Sequence, residues 1–97
     1  VGNEQRFAVE SLLMQALISI LKVRARPLSR SVPHREAEAR VFRADAETRF
    51  TPSMRQRLDL DRIYRRAMRG LPDTIDGQPP LPIPDTCPMT LDALLSE

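Results

Sequence analysis

The chain has 97 residues, a net charge of +2, 29% charged residues, only 4% aromatics and no Trp, so it holds one small domain with a core of Leu, Ile, Val, Met and Ala. A single Cys excludes an internal disulfide framework and a cysteine-based zinc site, and it fits a reducing cytoplasm. The apolar run Leu12 to Leu21 is too short to span a bilayer and is interrupted by Gln15 and Ser19, and no cleavable leader is visible, so a soluble, cytoplasmic protein without a membrane partner is expected.

Val1 and the residues after it already approach a helix, which points to a further segment ahead of them. Helix one is expected from about Asn3, an N-cap residue type, to about Arg26, where Pro27 stops it. Its polar residues Ser11, Gln15, Ser19 and Lys22 fall on one narrow stripe, and the rest of 12–23 is apolar. A helix apolar over most of its circumference needs cover on several sides. Only two more long helices follow, so self-association as a homodimer through Leu13, Leu17, Ile18, Ile20 and Leu21 is expected.

After a basic connector around Pro27, helix two is expected from about Ser31 to about Phe50, with Pro33 tolerated in its first turn. Two apolar lines run along it, Ala37, Val41, Ala44 and Ala39, Phe42, Ala46, Phe50. Between them Glu36 with Arg40, Arg43 with Glu47 and Asp45 with Arg49 stand four apart, pairs worth ~0.2–0.5 kcal/mol each as helix support. Helix three is expected from Thr51 as N-cap, with Pro52 at the first position, to about Arg69, closed by Gly70. Its buried stripe is Leu60, Tyr64, Ala67 and Leu71, with Met68 at the edge.

Residues 71–97 hold six of the nine prolines. Asp76-Gly77 signals a turn, 79–84 an extended polyproline-like run, and Thr90 a cap for a last short helix. Leu91, Leu94 and Leu95 share one face of that helix, so this arm should dock on the bundle or on a neighbour. Residues 1–70 carry +7 and residues 71–97 carry −5, so a basic body can be neutralised by its own acidic tail. The expected fold is therefore all-α: a single domain over 1–97, three long helices forming a small bundle, then a proline-rich arm over 71–97 that ends in a short helix.

Three blocks of residues point to a family. The first is Glu10-Ser11-Leu12 followed by Leu17-Ile18-Ser19-Ile20-Leu21-Lys22. Arg30-Ser31, then Pro52-Ser53-Met54-Arg55 and Tyr64-Arg65-Arg66-Ala67, make the second. The third and most specific runs from Pro84-Asp85-Thr86-Cys87-Pro88 through Met89-Thr90-Leu91-Asp92-Ala93-Leu94-Leu95. Over essentially its whole length the chain resembles the bacterial and cyanobacterial domain-of-unknown-function family 29. The resemblance implies an all-helical fold and no assigned activity. Ser19 stands where that family commonly has His, and Val23 and His34 where it often has Trp, so a His-dependent activity of the family would be missing here.

No catalytic, cofactor-binding or metal-ligating constellation is legible. His34, the only histidine, has Pro33, Arg35 and Glu36 as neighbours and reads as a helix-start surface residue. Arg30 and His34 stand too close together for the Arg–His motif of some helical ribonucleases. Cys87 reads as a small packing residue, Asp59 and Asp61 face different directions, and three scattered glycines make no phosphate loop. The most pronounced surface feature is Arg55, Arg62, Arg66 and Arg69 on helix three, a line within about a 60° sector at ~100° per residue, with Arg65 just off it. Such a line can track a phosphate backbone or dock an acidic protein segment. The sequence therefore reads as a non-enzymatic helical interaction module that self-associates through helix one. The alternative is a nucleic-acid-associated protein using the arginine line.

Overall fold

The computed structural model describes residues 2–95, which form four α-helices: α1 (Gly2–Ala25), α2 (Val32–Arg49), α3 (Leu60–Arg69) and α4 (Leu91–Leu95), with a 3₁₀ turn at Pro52–Met54. The all-α bundle expected from the sequence is the fold observed. At ~1.5 Å per residue α1 is about 36 Å long, and it forms the spine of a particle 42 Å in its longest dimension. Val9, Leu13, Ala16, Leu17, Leu21 and Ala25 of α1 have no exposure, and Leu12, Met14, Ile18 and Ile20 pack half-buried beside the core. Even Ser19, expected on the polar stripe, is buried.

A short turn folds α2 back along α1, with Ser29 N–H on the Arg26 carbonyl and Val32 N–H on that of Ser29. Ala39 and Ala46 are buried between the helices, where side chains without length allow a close approach. The helix ends where Thr51 precedes Pro52, since that position disfavours helical backbone, and Thr51 is extended (φ −123°, ψ 153°).

Helix three departs from expectation. The segment after Thr51 makes only the 3₁₀ turn, which drops Met54 into the core, and the α-helix restarts at Leu60. Asp59 decides the restart: its Oδ1 accepts from the N–H of Arg62 at 3.1 Å, a side-chain cap that Thr51 does not make. From there the expected stripe holds. Tyr64 and Ala67 are buried together with Ile63, and Leu60, Met68 and Leu71 pack half-buried against the core. Gly70 ends α3 in ordinary right-handed backbone (φ −80°, ψ −6°), so its closing role is not the left-handed cap. A Cβ there would stand 2.9 Å from Cδ1 of Ile18, and glycine lets α3 lie close on α1.

The arm docks on its own bundle. Asp76 (φ 56°) and Gly77 (φ 74°) form a two-residue turn in which both φ are positive, and Ile75 and Gln78 exchange backbone bonds of 2.8 and 3.1 Å around it. The turn buries Ile75. Asp76 accepts from Ser29 Oγ, and its carboxylate meets the Arg35 guanidinium at 3.0 and 3.3 Å. Further on, Leu81 N–H donates to the carbonyl of Ala25 (3.0 Å), one of the acceptors left over at the end of α1. Thr90 caps α4 as expected, its Oγ1 accepting from Ala93 N–H at 3.1 Å, and Leu94 and Leu95 are buried. Arg43 of α2 closes the other end of α4, with Nε on the Leu94 carbonyl (2.9 Å) and Nη2 on that of Ala93 (2.8 Å). Arg40 likewise reaches the backbone carbonyl of Glu36, so both arginines bond main chain. Among the described residues no helix is long and apolar enough to cross a membrane.

Candidate anion-binding surface

Because α3 is strongly two-faced, burying Ile63, Tyr64 and Ala67 forces its other side outward. That side carries Arg62, Arg65, Arg66 and Arg69, all exposed. At ~100° per residue the four fall within about a 100° sector, along about 10 Å of helix. They line a shallow depression of about 400 Å³. No ion pair among the described residues includes any of them. Arg66 and Arg69 sit favourably in the last turn, near the negative end of the helix dipole, whereas like charges three and four apart cost a few tenths of a kcal/mol each.

The membership of this cluster corrects the sequence reading. Arg55 lies beyond the 3₁₀ turn and not on α3, so it is not in line with Arg62, Arg66 and Arg69. It pairs with Asp92 at 2.6 Å and stands over the Phe50 ring at 5.6 Å. Arg65 takes its place. The helix restart rotates the two segments independently, and only the position of Asp59 in the sequence signals it. Two acids of the tail are engaged elsewhere, Asp92 with Arg55 and Asp76 with Arg35, and Asp59 is engaged at the helix cap.

The residues expected to carry self-association are placed differently. Leu13, Leu17 and Leu21 have no exposure within a single chain, and Ile18 and Ile20 are half-buried against the same core. The arm supplies the cover that two helices alone lack: Leu94, Leu95, Ile83 and Met89 belong to that core or pack on it. A second copy would have to open the fold to reach Leu13, Leu17 or Leu21, so these three residues are corrected from interface to core.

The remaining candidates stay apart. His34 is exposed and stands 2.5 Å from Glu38 across one helical turn. Cys87 packs half-buried on the core, and burial pushes its thiol pKa up, away from the reactive thiolate. Tyr64 is buried, and that burial, with a smaller contribution from Cys87, raises the pKa of its hydroxyl. Among the described residues no group of three or more His, Cys, Asp or Glu could hold a metal ion.

Comparison with protein families settles the kinship that the Pro84–Leu95 block points to. The family described as Domain of unknown function DUF29 matches residues 1–97. The chain belongs to that family. No curated protein and no solved structure matches it. Membership in DUF29 brings no activity with it, so a function for this member rests on the chemistry of its own surface.

Proposed function

We propose that this DUF29 chain is a non-enzymatic helical interaction module whose α3 arginine face binds the phosphate backbone of nucleic acid. The observation that carries this reading is four exposed guanidiniums on one rigid helix face with no carboxylate partner among the described residues. Arginine is suited to phosphate because its planar donor fork bonds two oxygens at once. The one aromatic residue of α3, Tyr64, is buried on the opposite side, so no ring stacks on a base and binding is indifferent to sequence.

Fluorescence anisotropy with a labelled duplex tests it. Four phosphate contacts give a slope of log K against log salt of about −3 to −4, and the Arg62→Ala/Arg66→Ala variant loses roughly half of that slope. Absence of binding at low salt removes the reading.

A second reading concerns assembly. Val41 on the outer face of α2 is 58% exposed, and with Ala37 and Phe42 it lines a shallow apolar surface of about 260 Å³. Self-association through that patch, in place of helix one, is the form of the dimer hypothesis that the packing supports. A sedimentation mass that stays monomeric at high concentration ends it, and so does a dimer unaffected by Val41→Lys.

A further inference from the structure

A groove runs between α1 and α2, away from the α3 face, with a volume of about 370 Å³. Its floor is aliphatic, made by Ile20 and Val23 of α1 and Ala39 of α2. Ala39 matters because a longer side chain there would fill the space between the helices. The walls are basic, with Arg24 on one side and Arg35, Arg40 and Arg43 on the other, against one acid, Glu36. Two of these guanidiniums are already held in place, Arg35 by the Asp76 carboxylate and Arg43 by the carbonyls that end α4. Arg24 of α1 and Arg40 of α2 are exposed, both line the groove and enter no ion pair among the described residues. Arg40 uses its Nε on the Glu36 carbonyl.

The combination selects an occupant. An aliphatic floor offers no partner to a polyphosphate or to a nucleic-acid backbone. A cation is repelled by walls of four positive charges against one negative. A neutral oil leaves Arg24 and Arg40 without a counter-charge. The volume lies within the roughly 300–1,000 Å³ range of small-molecule sites. We infer that this groove binds an aliphatic carboxylate, its chain on Ile20, Val23 and Ala39 and its head group between Arg24 and Arg40. A carboxylate meets a guanidinium through two parallel hydrogen bonds, which fixes the head while the apolar contacts supply burial. The inference is independent of the α3 reading, since the two sites share no residue.

The test is a ¹H–¹⁵N NMR titration of the whole chain with decanoate, with decanol as its uncharged counterpart. Saturable shifts are expected at the amides of 20–24 and 35–43, with decanol at least tenfold weaker. Arg24→Gln/Arg40→Gln should weaken decanoate at least tenfold while leaving the spectrum folded, and Ala39→Leu should block it by filling the floor. A variant with Arg62, Arg65, Arg66 and Arg69 all changed to Gln should bind decanoate like the parent, which separates this site from the nucleic-acid face. Equal binding of decanoate and decanol, equal binding by the double variant, or shifts centred on α3 would each overturn the assignment.

Discussion

The Tyr64 hydroxyl of α3 donates to the carbonyl oxygen of Pro84 at 2.5 Å, twenty residues further along the chain. Tyr64 is 1% exposed and Pro84 is half-buried, so the bond is partly shielded from water. It pins the extended part of the arm across α3, between the Asp76-Gly77 turn and α4. Tyr64→Phe keeps the ring and removes the donor, leaving one carbonyl unpaired, and should cost about 1 kcal/mol. Urea denaturation measures it, and an unchanged midpoint would show that the arm is held without this bond.

Arg43 makes the second attachment, to the carbonyls of Ala93 and Leu94. Arg43→Met keeps the aliphatic stem but removes the charged donors, and about 1.5–3 kcal/mol should be lost, toward the low end because the site is only partly buried. Amide exchange at Leu94 should accelerate more than exchange in the middle of α1, since α4 loosens before the bundle opens.

Asp76 links the arm to acidity. Its carboxyl pKa lies below the ordinary 3.8, first because the Ser29 hydroxyl and then because the Arg35 guanidinium bonds the ionised form. A carboxylate whose folded-state pKa is depressed stabilises the fold fully above its unfolded value. That contribution fades as pH falls through the folded-state value. Stability should therefore drop on acidification below about pH 4, and part of that slope should vanish in Asp76→Asn. Asparagine tolerates the left-handed backbone at this position (φ 56°), so the substitution tests the charge and spares the turn. An acid limb that is the same in both proteins would discard the link.

The two groups of arginines should separate cleanly. Arg62→Ala/Arg66→Ala removes like-charge neighbours and should leave thermal stability within about 0.5 kcal/mol of the parent. Arg55→Ala breaks an exposed pair with Asp92 and should cost no more than about 1 kcal/mol, with no effect on nucleic-acid binding. Should Arg55→Ala weaken duplex binding as much as the α3 pair does, the division drawn at the helix restart is wrong.

Gly70 offers a check on packing. Alanine in right-handed backbone carries no conformational penalty and even restricts the unfolded chain, but its Cβ presses on the tip of Ile18. Gly70→Ala should change stability by less than about 1 kcal/mol, because a side-chain end can yield. A valine at the same place should cost clearly more. A loss of several kcal/mol from alanine would mean that Ile18 cannot move.

Much of this architecture was legible in the residues. Pro27 marks the end of α1, Thr90 caps α4, and Asp76-Gly77 turns with both φ positive, because each signal acts through chemistry local to a few residues. Two features were not legible, for one physical reason. Whether Thr51 or Asp59 begins α3 depends on a competition between two caps, settled by where Met54 and Leu58 find the core. Whether α1 needs a second chain depends on where Leu94, Leu95 and Ile83 land, more than fifty residues beyond it. Both are questions of tertiary contact, which periodicity within one helix does not encode. The α3 face was seen in outline: Arg62, Arg66 and Arg69 share it, Arg65, read as just off the line, lines the same depression, and Arg55 leaves it because the helix restarts after it.

The route of the arm also orders events at birth. Residues 71–95 touch the end of α1 at Ala25, the middle of α2 at Arg43 and the face of α3 at Tyr64, all through contacts distant in sequence. A nascent chain that has emerged only as far as Gly70 carries an α1 still missing the cover of Leu94 and Ile83, and such long-range closure is slow. Translation therefore leaves this polypeptide with a sticky interval before residues 71–95 seal the oil, a window in which a chaperone or a sister chain meets surfaces that the folded bundle hides.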